Sequence, residues 1–168
     1  MTIRHEMLSV SDVSTADIAG VSQAPVFHAG CPLCQTDGGL LVVRLATCRV
    51  VRAQEAGFPA FYRVIAESHV VEWTDLPESE QLTMMRVVNI VERTLREQLH
   101  TTKINIASLG NVVPHLHWHV IARFDWDSHF PAPIWGQAQR TVEPGQLSVL
   151  AHLMPRVDDA LRQYLLPW

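Results

Sequence analysis

A chain of 168 residues, 48% hydrophobic and 18% charged, has the size and composition of one soluble globular domain. Its formal net charge of −4 and the lack of any Lys/Arg-rich run exclude a general nucleic-acid or membrane-surface binder, though not a protein for a small anionic ligand. No apolar stretch approaches the ~18 residues of a membrane span, no hydrophobic leader is found before Gln23, and the three cysteines, two of them in Cys31-Pro32-Leu33-Cys34, suit a reducing compartment, so a cytoplasmic protein is expected.

Residues 1–26 mix small and polar types without a period and are expected to form an N-terminal arm. After the Cys-x-x-Cys, Gly38-Gly39 turns the chain into a strand over residues 40–45. Residues 48–52 and, past the punctuation Gly57-Phe58-Pro59, residues 61–66 read as two more strands. A long helix follows, capped by Thr74 or Asp75, with Pro77 in its first turn and Glu78 and Glu80 at the positive end of its dipole. Met84, Val87, Val88, Val91, Leu95 and Leu99 recur at helical spacing as its buried stripe.

Residues 103–108 form another strand candidate, and Gly110-Asn111 turns into a last strand over 115–123. The prolines of Phe130-Pro131-Ala132-Pro133-Ile134-Trp135 exclude a central strand there. A final helix is expected from about Pro144, with Leu147, Leu150, Leu153, Met154, Val157, Leu161 and Tyr164 as its stripe and Pro155 kinking or splitting it. The pattern predicts an α+β fold with a mainly antiparallel sheet, one long helix and a C-terminal helix. It divides into an arm (1–26), a main domain (27–136) and a helical extension packed on that domain (137–168).

The run His115-Leu116-His117-Trp118-His119-Val120-Ile121 carries the strongest functional signal. In a strand, alternate side chains leave one face, so the three imidazoles are expected to share a face while Leu116, Trp118 and Val120 point the other way. A core gains nothing from three imidazoles that each need a hydrogen-bond partner. Two chemistries fit: a metal site built from the histidines, or nucleophilic attack on phosphorus by one imidazole while its neighbours bind the phosphate or protonate the leaving group. A satisfied structural cluster is the remaining reading.

Cys31 and Cys34 lack the strand-to-helix context of a thiol redox motif, and a metal site built on them would draw on His69, His28 or His115. Asn105, Gly110 and Asn111 lie on the approach to the histidine strand, where they could meet a ribose or phosphate, and Arg123 at its end could meet a phosphate. His5, His100, His129 and His152 have no partner pattern, and the five tryptophans read as core or interface residues.

The full His-φ-His-φ-His-φ-φ pattern of residues 115–121, with Asn105, Gly110-Asn111, Val113, the strand running from Arg63 to His69 and the Cys31/Cys34 pair in order, resembles the histidine-triad (HIT) family of nucleotidyl hydrolases and transferases. The resemblance spans roughly residues 27–125. It implies a five-stranded sheet, a homodimer paired partly through the long helix, and a small-molecule nucleotide as ligand, with no organic cofactor. By the same resemblance His117 would attack the α-phosphate of a dinucleoside polyphosphate, a phosphoramidate or an adenylylated molecule. His119 would hydrogen-bond the phosphate or leaving group, and Asn105, Gly110, Asn111, Val113 and Arg123 would line the substrate. His115 would orient the site and join Cys31, Cys34 and His69 around a structural zinc.

Two positions depart from the family's pattern: Val112 stands where many relatives have Ser or Thr, and Ala53 near where many have a ribose-gripping carboxylate. These departures leave a nucleotide-binding or sensing module with little turnover as an alternative, beside a zinc-centred hydrolase or lyase that uses the histidines as ligands.

Overall fold

The computed structural model describes residues 24–166, so all but the last three residues of the expected N-terminal arm lie outside the described residues. Five strands form one antiparallel sheet: β1 (Leu40–Arg44), β2 (Cys48–Arg52), β3 (Phe61–Ala66), β4 (Lys103–Ala107) and β5 (His117–Arg123). Their spatial order is β1-β2-β3-β5-β4, so β5 inserts between β3 and β4 and His117 and His119 come to lie on an interior strand. Three helices join them: α1 (Pro32–Gln35), α2 (Glu78–Leu99) and α3 (Pro144–Leu165), with a 3₁₀ turn at Trp73–Asp75.

Period-2 patterning divides the sheet into two faces with different neighbours. Val50 of β2, Tyr62 and Val64 of β3, and Val120 and Ala122 of β5 meet the apolar stripes of α2 and α3 in one large core. Each fully buried aliphatic side chain there contributes about 1.5–3 kcal/mol. The expected α2 stripe is buried in full, with Thr94 added, its hydroxyl donating back to Ile90 O. Pro77 sits one position earlier than expected, as the residue before the first turn.

The C-terminal helix differs from expectation in two ways. It runs unbroken through Pro155, and Leu153 and Tyr164 stay exposed while Asp158 and Leu165 are buried. The cause is tertiary. Asp158 accepts a 2.7 Å hydrogen bond from Tyr62 Oη and pairs with Arg52, while Arg162 donates to Val42 O at the irregularity in β1. These partners hold α3 against the same core from which β1 to β3 are built.

The opposite face of the sheet is covered by irregular segments. Leu33 of α1 packs on Val51 and Ile65. The buried Arg49 anchors this hook by donating to the carbonyls of Leu33 and Asp37 while pairing with Glu67. Gly38 is required at its turn: φ is +82°, and a Cβ would lie 2.6 Å from Leu33 Cδ2.

Candidate active site and metal centre

His117 and His119 project from β5 onto the face away from the long helices, with ring centroids 4.7 Å apart. His115 precedes the strand, because Pro114 and the bend at 111–113 turn the chain just before β5 begins. Two of the three imidazoles therefore stand on the strand itself, and the first stands just before it. His117 and His119 border a cleft of about 370 Å³, together with Leu33, Arg63, Leu109, Gly110, Asn111, Val112, Val113 and Trp135. His115 is not among the residues that border it. Gly110 has φ +68°, a left-handed turn that lets the 109–113 segment curl over the histidines.

The protonation pattern follows from the partners. His117 Nδ1 lies 2.6 Å from the carbonyl oxygen of His115. A carbonyl only accepts, so Nδ1 carries the proton and Nε2 keeps its lone pair. Ser108 Oγ donates to His117 O and ties β5 to the end of β4. Burial holds His117 below the ordinary imidazole range, with the charge on Arg63 acting in the same direction and the bond to His115 O opposing. His119 is pushed down to about 3, first by burial and then by charge on His117 and Arg63. Its Nδ1 is buried without a partner, and its ring packs against Phe61 (5.3 Å) and Trp135 (5.1 Å).

Beside this cleft, ligand atoms of Cys31, Cys34, His69 and His115 lie within 4.8 Å of one another. Cys31 Sγ and Cys34 Sγ stand 3.4 and 3.5 Å from His115 Nδ1, and Cys34 Sγ stands 3.4 Å from His69 Nδ1. A tetrahedral ion with ordinary Zn–S and Zn–N bonds needs ligand atoms roughly 3.3–3.8 Å apart, close to these spacings. His115 is fully buried and its Nε2 donates to Ala66 O at 2.8 Å, so its Nδ1 lone pair faces the cluster. These four residues could hold a metal ion. The His28 ring instead stacks on His69 at 5.0 Å, and its backbone N–H donates to Cys34 Sγ.

The remaining expected site residues divide. Gly110, Asn111 and Val113 border the cleft; Asn105 and Arg123 do not. Arg123 is 1% exposed, and its donors go to Asp127, Asn105 Oδ1 and Ala132 O. Asp127 also accepts from the backbone of Phe124, His129 and Phe130, so the pair shapes the loop that carries Trp135 to the cleft. Val112 is 94% exposed. Ala53 belongs to an apolar cluster with Phe58, Phe61, Ile121 and Ile134 instead of offering a carboxylate.

Sequence reasoning missed Arg63, Leu33, Leu109 and Trp135 as cleft residues. Only Arg63 carried a usable signal, a charge at the centre of an apolar strand on the face of Phe61 and Ile65.

The HIT domain family matches residues 39–126, just over half of the chain. The chain belongs to the HIT family. A histidine triad protein from Bradyrhizobium japonicum shares 29% identity with a TM-score of 0.63, over 84% of this chain and 98% of that one. A second, from Marinobacter aquaeolei, shares 26% with a TM-score of 0.58, over 74% and 92%. A zinc-bound histidine triad family protein from Mycobacterium smegmatis shares the fold at 21% identity and a TM-score of 0.51, over 75% and 86%. Comparison with curated proteins returns no match. Membership of the HIT family points to a nucleotide-binding protein with hydrolase or transferase chemistry.

Proposed function

We propose that this HIT protein cleaves nucleotide conjugates at the α-phosphate through a covalent nucleotidyl–His117 intermediate, as a phosphohydrolase or nucleotidyl transferase. The observation that carries the reading is the 2.6 Å bond from His117 Nδ1 to His115 O, which directs the Nε2 lone pair to attack. Nε2 forms the P–N bond as the bond from phosphorus to the leaving group breaks. The proton on Nδ1 stays in place, so the modified ring is an imidazolium and itself a good leaving group. Water then attacks phosphorus, loses a proton to solvent and returns His117 to its starting tautomer. Neutral His119 supplies an N–H to a phosphoryl or leaving oxygen.

Mass spectrometry of enzyme quenched during turnover on diadenosine tetraphosphate is expected to find the nucleotidyl mass on the peptide containing His117. His117→Ala is expected to lose both adduct and turnover, and a fully active His117→Ala overturns the mechanism.

Cys31, Cys34, His69 and His115 would hold a structural zinc, the ion favoured by a tetrahedral set of two thiolates and two imidazoles. Its contribution would be to fix His115, whose carbonyl orients the nucleophile. A catalytic zinc held by all three triad histidines has less support, since only His115 of the three joins this cluster. A homodimer paired partly through the long helix, in the cytoplasm, completes the proposal; β4 ends the sheet among the described residues and offers an edge for pairing, and light scattering in solution reads the mass. A sensing module with little turnover is the second reading, favoured by Ala53 and exposed Val112, which offer no polar grip on ribose or phosphate. Tight AMP binding in calorimetry with no turnover of any nucleotide conjugate would select it.

A further inference from the structure

Five arginines stand on the sheet, and four have carboxylate partners. Arg44 of β1 pairs with Asp37 and Glu67, and Arg49 of β2 pairs with Glu67. Arg52 pairs with Asp158 and Arg123 with Asp127. Arg63 of β3 is the exception: among the described residues no carboxylate forms an ion pair with it. Its one hydrogen bond goes to Gly38 O at 3.1 Å. Its Nε is buried without a partner, and its guanidinium lies 5.1 Å from the centre of the Phe61 ring.

The position of this cation is specific. Arg63 is directly opposite His119 in the β3–β5 register, and it borders the same cleft as His117 and His119. Around that cleft it is the one residue with a permanent charge, the others being apolar, amide, glycine or imidazole. Glu55 acts on it only through its charge at a distance and forms no ion pair with it, and holding a cation partly out of water without a paired anion costs free energy. The sheet neutralises its other arginines, so this one is kept available for a charge that arrives from outside. A guanidinium fork matches phosphate oxygens.

Which phosphate it meets follows from the charges. The α-phosphate already has the His117 nucleophile and the N–H of His119. A phosphoramidate releases an uncharged amine and brings no further anion. A nucleoside polyphosphate brings more phosphates, and its leaving group gains negative charge as the bond to His117 forms. A fixed cation acts most strongly where charge develops. Resting on the proposed nucleotidyl chemistry of the same site, we propose that Arg63 binds the leaving phosphates of a nucleoside polyphosphate and so directs this chain to polyphosphate anhydrides over phosphoramidates.

The test compares diadenosine tetraphosphate with adenosine 5′-phosphoramidate in the wild type, Arg63→Gln and Arg63→Lys. The wild type is expected to prefer the tetraphosphate. Arg63→Gln is expected to lower kcat/KM for it about 100-fold while changing the phosphoramidate by less than about threefold. Arg63→Lys, which keeps charge but not the fork, is expected to recover part of the loss and is decisive alone if the neutral variant does not fold. Equal losses on both substrates, no loss on either, or a wild-type preference for the phosphoramidate overturns the proposal. Titration with inorganic tripolyphosphate reads the same contact without turnover. Binding to the wild type that weakens in Arg63→Lys and Arg63→Gln supports the inference, and equal binding overturns it. A wild type that binds tripolyphosphate through Arg63 yet turns over neither substrate refutes the nucleotidyl mechanism and leaves the phosphate contact standing.

Discussion

A neutral imidazole has one N–H to donate and one lone pair to offer, so its partners decide what it can do. At His117 the His115 carbonyl takes the N–H. At His119 burial against Phe61 and Trp135, with the charges on His117 and Arg63 adding to it, lowers the imidazole to about 3. A base with a lowered pKa stays neutral at every pH above it. His119 is therefore expected to remain neutral from about pH 8 down to about pH 5, where an ordinary imidazole near 6.5 would have protonated. Imidazole NMR of the metal-loaded protein checks this: a His119 resonance that titrates with a midpoint near 6.5 would refute the assignment. In the proposed mechanism His119 acts as a neutral donor, and its replacement by Ala is expected to reduce kcat/KM about 10²–10³-fold, as for loss of one preorganised donor.

Strands and helices were legible where a face has a single duty. The α2 stripe is buried as expected, and β2, β3 and β4 fall within one residue of their expected bounds, where turn residues or polar residues end the apolar runs. Prediction fell short where a distant partner overrides the period. His115 stands before the strand, and its ring meets residues 31, 34 and 69, which are far away in sequence. Asp158 is buried in the α3 stripe because Tyr62 and Arg52, far away in sequence, satisfy it. The same distance explains Trp135, whose place beside His119 depends on a loop shaped by Arg123 and Asp127. The histidine pattern was readable from spacing, and the grouping of Cys31, Cys34, His69 and His115 from the family resemblance, whereas Arg63 needed its cross-strand neighbour.

The Asp158 contact carries an element-scale prediction. Asp158→Ala leaves Tyr62 Oη and Arg52 without their acceptor at the α3–sheet contact and is expected to cost about 2–3 kcal/mol. Urea denaturation reads the loss directly. An unchanged midpoint would mean that α3 is held by its apolar stripe alone.

Across the whole molecule, the sheet separates two tasks. The helical face supplies the large core, while the other face carries the cleft and a hook whose own apolar contacts are few. A small cluster around Leu33 is a weak anchor for residues 31–35, and a metal ion joining Cys31 and Cys34 to His69 and His115 would staple the hook to the end of β3 and the approach to β5. An ion that binds only the folded chain stabilises it by about 2.7 kcal/mol at 100 times its Kd. For a chain of this size that corresponds to a fall of roughly 5–10 °C in Tm when the ion is removed. The purified protein is therefore expected to contain one zinc per chain, and Cys31→Ser or a strong chelator should remove it with that loss of Tm. His117→Ala should keep its zinc, because His117 faces the cleft and lies outside the four-residue cluster. Elemental analysis of the two variants decides between a structural and a catalytic ion. Zinc lost with His117→Ala but kept in Cys31→Ser would move the metal into the triad and overturn the proposed division of labour, in which His115 holds the ion and His117 attacks.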